Sequence, residues 1–347
     1  MTPRQRVWQR RNRLRNRFPK AKLADVAERA GVSTSTASRA LNGYAGLAPA
    51  TREAVVVAAA SLNFQPSALA RSLRTRQTFT VGFVVPDVSS PFYAAALRGA
   101  QRRLEQSGYR VMLMDADQDV DRELAALQTL LSHQVDGLLI ATAGMARTTF
   151  EDTVSSHTTP TVFFDGVIEG AGQGSVTLDN ERGIRLLVDH LSEHRHERIA
   201  LLAGSQRESA GIERLTAFRA AVDAAPRYAK LCEWSIEEGR RAGLELLDDS
   251  PQATAVIASS AELALGFMAA AAARGVRIPN DIALVVFDDP YFGELLEPSL
   301  TAVGYDTCLV GEQAADLLVN AMQSTVERRA MRVPVTLVRR RSCGCDG

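Results

Sequence analysis

From Phe79 onward the chain repeats one arrangement: a short apolar run, a longer amphipathic stretch, then another apolar run. The runs are TVGFVV from 80, YRVMLM from 109, DGLLIA from 136, PTVFFD from 160, GSVTLD from 174, ERIALL from 197, TAVIAS from 254 and IALVVF from 282. A sheet with one wet face alternates apolar and polar residues. These runs are too continuous for that, so both faces must be covered. The stretches between, such as PFYAAALRGAQRRLEQSG from 91 and DRELAALQTLLSHQ from 121, have helical spacing. Strands alternating with helices predict doubly wound parallel sheets. The strands are too many for one comfortable sheet, which predicts two lobes with a cleft between them. Ligands of such sheets bind beyond the carboxyl ends of the strands. Pro86-Asp87, Asp115, Asp165, Gly204-Ser205 and Asp288-Asp289 stand there.

The segment before Phe79 has a different texture. In DVAERAGVSTSTASRALN, Asp25 to Asn42, the residues Val26, Ala27, Ala30, Val32, Ala37, Ala40 and Leu41 have the spacing of two short helices that cross tightly. Gly31 supplies the sharp turn and Ser33 caps the second helix. Thr34, Ser35, Thr36, Ser38 and Arg39 remain on its outer face, hydroxyls and a guanidinium suited to base edges and phosphates in a major groove. A third helix is expected from Pro49 to Asn63, with Val55, Val56, Ala59 and Leu62 turned inward. Residues 65–78 read as a basic linker with a helical pattern that starts at Pro66, and residues 1–21 as a basic disordered arm.

Charge separates the same two parts. The chain has 40 Lys and Arg against 40 Asp and Glu, yet Met1 to Arg76 holds 15 against 3 and the remainder 25 against 37. A basic head on an acidic body reads as a polyanion-binding module attached to something else. A solvated basic tail would explain the Arg-rich start alone, but not the ordered helix pattern after it.

Other function classes find little support. The four cysteines, Cys232, Cys308, Cys343 and Cys345, show neither a zinc-ribbon spacing nor a disulfide framework, and the one close pair, Cys343-Gly-Cys345, is expected in a disordered tail in preference to a metal site. His133, His157, His190, His194 and His196 suggest no shared metal geometry, so neither metal nor cofactor is expected. No apolar run reaches a membrane span and no signal peptide is visible, which predicts a soluble cytoplasmic protein without a membrane partner. Walker A and GxGxxG motifs are missing from the expected places. The pair Asp288-Asp289 lacks the partners that catalysis would need, so no catalytic residue and no enzyme is expected.

LADVAERAGVSTSTASRALN and TREAVVVAAASLNFQPSALARSLR, followed by VGFVVPDVSSPFYAAALRGA, VDGLLIA, LDNERGIRLLVDHL, GIERLTAF and FDDPYFGELLEPSLTAV, resemble the LacI/GalR family of transcriptional regulators over nearly everything after residue 21. The resemblance implies a helix-turn-helix head at 22–64 and a hinge helix and linker at 65–78. It also implies a two-lobed, periplasmic-binding-protein-like α/β body at 79–347. Lobe one would hold about 79–179 and 306–333, lobe two about 180–305 and 334–347, with crossings near Asp179, Tyr305 and Pro334. By the same likeness Thr34, Ser35 and Arg39 read bases, Ser33, Thr36 and Asn42 hold phosphates, and Leu73 wedges into the minor groove. Leu73 is open to a second reading as packing between helices.

The implied effector site comprises Asp87, Phe92 and Asp165 from the first lobe and Arg214, Trp234 and Asp288 from the second. Carboxylates and a guanidinium beside an aromatic ring suit a polyhydroxylated ligand. Arg214 is also readable as a surface ion-pair residue, and Trp234 as core. Three departures bear on the ligand: Ser260-Ala261 where the family usually has Asn-Asp, Tyr305-Asp306 where it has Gln-Pro, and Glu208 where a hydroxyl or a base is found. Glu262 is expected to point away from the site. Together these features predict a homodimeric repressor of a palindromic double-stranded DNA operator, controlled by a sugar or related metabolite. The competing class is a two-lobed solute-binding protein without a regulatory role.

Overall fold

The computed structural model describes residues 21–44, 46–65, 72, 75, 77–142, 144, 152–153, 156–168, 171–222, 228–249, 253–323 and 328–345. The expectations for residues 1–20 and for Leu73 lie outside them. The chain forms two compact units, divided between Thr78 and Phe79.

The first unit contains α1 (Leu23–Arg29), α2 (Thr34–Leu41) and α3 (Pro49–Ser61). Gly31, at φ +66°, makes the turn between α1 and α2, a conformation that costs other residues steric strain. Ser33 Oγ then accepts the Thr36 N–H at 3.1 Å and caps α2. The core consists of Val26, Ala27, Ala37, Ala40, Val55, Ala58 and Ala59, with Leu23, Val32, Leu41, Leu62 and Phe64 packed around it. Most of these side chains are alanines, so the helices approach closely and the two valines supply much of the buried apolar volume. The expected inward stripe on α3 needs a correction: Val56 is 51% exposed, and Ala58 takes the inward place. One residue is 100° of helix, so a set of small residues does not mark the buried side sharply.

The second unit is built on two six-stranded sheets. In chain order its elements are β1 (Thr80–Val85), α4 (Pro91–Gln106), β2 (Arg110–Asp115), α5 (Val120–Ser132), β3 (Gly137–Ile140), β4 (Thr161–Phe164), β5 (Gly174–Leu178), α6 (Asn180–Glu193), β6 (Ile199–Ala203), α7 (Ser209–Ala221) and β7 (Ala229–Leu231). Then follow α8 (Ile236–Asp249), β8 (Ala255–Ala258), α9 (Ala261–Ala273), β9 (Ala283–Phe287), β10 (Thr301–Gly304), α10 (Thr307–Gln323), β11 (Arg329–Val333) and β12 (Thr336–Val338). Sheet one has the order β11-β5-β4-β3-β1-β2 and is parallel throughout. Sheet two has the order β12-β10-β9-β8-β6-β7 and is parallel except for β12, which runs antiparallel to β10.

Both faces of each sheet are covered. On β9, Val285 and Phe287 join Ile184, Leu187 and Phe218 of α6 and α7, while Leu284 and Val286 join Leu246 and Phe267 of α8 and α9. In sheet one, Phe83 and Phe164 pack toward Leu104 and Leu318 of α4 and α10, whereas Val84 and Phe163 pack with Leu127 and Leu130 of α5. Each large apolar side chain so buried contributes about 1.5–3 kcal/mol relative to exposure. The chain passes from sheet one to sheet two between β5 and β6, returns between β10 and α10, and crosses again at Pro334-Val335 between β11 and β12.

The C-terminal end departs from expectation. Instead of a disordered tail, Ser342 is fully buried and Cys343 nearly so. The Ser342 carbonyl accepts the Leu284 N–H at 2.8 Å, and Ser342 Oγ accepts the Thr301 N–H at 2.9 Å. This run extends across the starts of β9 and β10 and satisfies donors that would otherwise be buried without partners.

Candidate functional site

The polar face of α2 is the first candidate. Ala37 and Ala40 are buried against the other two helices, which turns Ser33, Thr34, Ser35 and Arg39 to solvent, while Thr36 is half-buried. Ser33 Oγ lies 2.9 Å from both Ser35 Oγ and Thr36 Oγ1, forming a compact hydroxyl cluster at the helix start. The orphan N–H groups of the first turn face the same way, favourable to anions. Asn42 is exposed at the other end, with Nδ2 donating to the Ser38 carbonyl at 2.6 Å. Arg52 Nη2 donates to the Tyr44 carbonyl at 2.7 Å and holds the loop after α2.

The second candidate is a pocket of about 690 Å³, counted to its open mouth, between the two sheets of the body. Its lining includes Asp87, Phe92 and Asp165 from the sheet-one side and Arg214, Trp234 and Asp288 from the sheet-two side, so all six residues singled out in the sequence meet there. Each occupies the carboxyl end of a strand or the helix or loop after it. At the pocket's edge the two sides touch, where the Val167 N–H donates to Ser209 Oγ at 3.0 Å.

Arg214 is buried, not a surface ion-pair residue. Its Nε donates to Asn180 Oδ1 at 2.8 Å and its Nη1 to the Ser259 carbonyl at 2.5 Å. The guanidinium carbon lies 3.7 Å from the Phe287 ring centroid and 5.7 Å from that of Trp234, a stacked arrangement that leaves the cation over aromatic faces. Trp234 packs across Gly204: a Cβ there would come within 2.0 Å of the indole ring. Among the described residues the buried Trp234 Nε1 makes no well-formed hydrogen bond, though it lies near enough to the Glu208 carboxyl to pull its pKa down against burial, and a buried donor so weakly served is costly unless a ligand satisfies it.

The carboxyl groups are held in unusual states. Tyr93 donates to Asp165 Oδ2 at 2.8 Å and Tyr305 to Asp288 Oδ1 at 2.5 Å. Burial raises the Asp288 carboxyl to about 7 against the pull of Arg214 and Tyr305. Burial, helped by the Asp165 charge, raises Glu208 to about 8. Asp165 is also raised by burial, against the attraction of Arg214 and the Tyr93 hydrogen bond. Burial and the Asp165 and Asp288 charges in turn raise Tyr93 and Tyr305. Two of these aspartates are also strained, Asp165 at φ 63° and Asp288 at φ 112°. Such backbone persists where surrounding contacts over-determine it, and it clusters at functional sites.

Asp289 has a separate role from its neighbour. Both of its oxygens are taken by Arg340, with Nη1 at 2.6 Å and Nη2 at 2.9 Å. Glu262 corrects an expectation, because it lines the pocket. Ser260 caps α9 by accepting the Leu263 N–H at 3.3 Å, so the helix begins at the pocket wall and its first turn faces inward. Tyr93 was not singled out from the sequence. Its one available signal was adjacency to Phe92, and a helical neighbour is normally turned away by 100°.

A three-helix head with an exposed polar reading face, and a two-lobed body with a ligand-sized pocket, define a transcriptional regulator with a DNA-binding domain and an effector-binding domain. Residues 22–67 match the family described as bacterial regulatory proteins, lacI family, and residues 188–343 match the periplasmic binding protein-like domain. The ribose operon repressor of Bacillus subtilis (strain 168) is 32% identical, covering 93% of this chain and 98% of that protein. The catabolite control protein A of Priestia megaterium is 30% identical over 90% and 96%. The lac repressor dimer bound to operator and the anti-inducer ONPF superposes with a TM-score of 0.83 at 27% identity, covering 93% of this chain and 99% of that one. The chain belongs to the lacI family of bacterial regulatory proteins, a family of transcriptional regulators and not of enzymes.

Proposed function

We propose that this protein is a cytoplasmic repressor that binds a palindromic operator as a homodimer and is controlled by a small polyhydroxylated effector, a sugar or a related metabolite, in the inter-lobe pocket. The observation that carries the reading is the division of α2 into a buried alanine side and an exposed side of hydroxyls with Arg39. Thr34, Ser35 and Arg39 read bases, while Ser33, Thr36 and Asn42 contact phosphates. Asn42 must first release the Ser38 carbonyl. Leu73, in the linker 65–78, is the proposed minor-groove wedge. Two heads related by a two-fold axis would read two half-sites.

Asp87, Phe92, Asp165, Arg214, Trp234 and Asp288 hold the effector. Support comes from the aromatic walls, a Trp234 N–H with no well-formed hydrogen bond among the described residues, and carboxyls raised so that they can donate as well as accept. Five carboxyl side chains, Asp87, Asp165, Glu208, Glu262 and Asp288, surround one arginine whose Nε and Nη1 already serve Asn180 and Ser259. That balance favours hydroxyls over phosphate or carboxylate on the ligand.

The test is enrichment of bound sequences from a random duplex pool by the purified protein at near-physiological salt, without ligand. A two-fold symmetric site should emerge. Salt-sensitive binding with no sequence enrichment, with or without sugars added, would overturn the reading.

A further inference from the structure

The ordered C-terminus brings together side chains that the effector site does not use. His190 and His194 lie one helical turn apart at the end of α6, with ring centroids 4.8 Å apart. Cys345 Sγ lies 3.4 Å from His190 Nε2 and 3.1 Å from His194 Nε2. Cys343 Sγ lies 2.6 Å from Cys345 Sγ. The donor atoms of His190, Cys343 and Cys345 all fall within 4.8 Å of one another. The sequence expectation that these histidines share no metal geometry therefore fails, because residues about 150 positions apart meet only through the fold.

We propose that Cys343, Cys345, His190 and His194 form a site for a thiophilic divalent cation of the Zn²⁺ type, which fastens the C-terminal segment to α6. Two thiolates and two imidazoles are a complete tetrahedral donor set for such an ion. Zn–S bonds of about 2.3 Å would spread the two sulfurs to roughly 3.8 Å, a change within reach of small side-chain rotations. Gly344, at φ +82°, turns the backbone so that both cysteines face one spot.

Several features prepare the site. His190 is 2% exposed, so the packing around its ring holds it in place. Thr301 Oγ1 lies 3.2 Å from Cys343 Sγ, in the position of an outer-shell partner. The cysteine-bearing run is itself pinned to the starts of β9 and β10 by the Leu284, Thr301 and Ser299 hydrogen bonds. The pocket lies at the other end of these strands, which makes the site a structural fastening and not part of effector recognition.

The full-length protein, reduced and stripped with a chelator, is titrated with Co²⁺ as a spectroscopic probe and then with Zn²⁺. One equivalent of Co²⁺ should give the visible bands and sulfur-to-metal charge transfer of a tetrahedral thiolate site, and Zn²⁺ should displace it. Cys345→Ser, which leaves one thiolate, should weaken the charge-transfer band, and the double variant Cys343→Ser/Cys345→Ser should abolish it. His194→Ala, an exposed substitution at a helix end, should weaken binding at least tenfold while leaving the circular dichroism unchanged. Zn²⁺ should raise the Tm of the wild type and not that of Cys345→Ser. The proposal is overturned if the reduced protein gives no thiolate band, if Cys345→Ser keeps the band at full intensity, or if His194→Ala binds as tightly as the wild type. It is also overturned if Cys343 and Cys345 are joined in a disulfide in protein purified under reducing conditions.

Discussion

Arg39 stands on the exposed side of α2, and its side chain forms no hydrogen bond or ion pair among the described residues. Nothing in the folded head therefore depends on it, and its substitution reports on DNA alone. Arg39→Ala should keep general, salt-sensitive DNA binding and lose about 1–3 kcal/mol of preference for the operator, one bidentate contact to a guanine edge. Competition between the operator and a scrambled duplex measures this, and an undiminished preference would place base reading elsewhere. Glu208 makes the opposite case, a residue whose state the fold imposes. With its carboxyl raised to about 8, it keeps a proton in the folded protein that the unfolded chain releases in the ordinary carboxylate range. Between those limits the native state binds more protons, so stability falls as pH rises toward about 8. Asp288, raised to about 7, acts in the same direction. Glu208→Gln, which fixes the neutral form, should flatten the decline. Thermal melts of both proteins at pH values below and above the Glu208 transition test it, and an identical slope would show that Glu208 titrates normally.

At the scale of elements, the head depends on few side chains. Val26 and Val55 are fully buried, and most of the core around them is alanine. Val55→Ala removes two methyl groups from a core with little else to close the gap, at a cost on the order of 2 kcal/mol. Val56→Ala, on the exposed side of the same helix, should cost only a few tenths. Hydrogen exchange of α1–α3 in the full-length protein should show protection lost in the first variant and retained in the second. The same contrast explains what was legible in advance. The turn at Gly31, the cap at Ser33 and eight apolar runs could be read because each is a local pattern. β7, β11 and β12 carry no continuous apolar run: β7 and β12 have three residues each and β11 is an edge strand with exposed arginines, while β10 is marked from the sequence only as the late strand before Tyr305 that the family resemblance implies. The inward face of α3 was misread because valine and alanine alternate around it with little contrast. In the pocket, Asp87, Asp165 and Asp288 could be found from their places after strands. Tyr93 and Glu262 could not, since helix phase at a pocket wall decides which way they face. The pairing of Cys343 and Cys345 with His190 and His194 was invisible for the same physical reason, being a product of tertiary contact alone, although the close Cys343-Gly-Cys345 spacing was legible.

At the scale of the molecule, the proposed function requires that a ligand between the two lobes alter a DNA contact made by another unit. Thermodynamics requires only that the ligand bind two states of the protein unequally, and the coupling is then reciprocal. The body supplies a route between its lobes. Arg214 in the pocket holds Asn180 Oδ1, Asn180 Nδ2 donates to Glu213 Oε2 at 2.9 Å, and Glu213 meets Arg332 of β11 at 3.3 Å. Arg332 lies just before the Pro334 crossing, so a shift at the pocket reaches a strand of the opposite sheet through three side-chain contacts. The Glu213–Arg332 pair is half-exposed and worth about 0–1 kcal/mol by itself, which suits a contact that changes between states. Asp288 is the better place to break the coupling. Its backbone is strained at φ 112°, and Asp288→Gly removes the carboxyl and relaxes that strain together. The variant should therefore fold with a Tm no lower than that of the wild type and bind operator without ligand within about twofold of it, a difference below roughly 0.5 kcal/mol. The ligand-induced change in operator affinity should disappear, because the proposed effector contact at Asp288 is gone. Operator titrations with and without effector, run on both proteins at one salt concentration, decide the matter. A variant that still responds fully would mean that the controlling ligand does not bind at Asp288, and the pocket would lose its place in regulation even if the head reads DNA as proposed.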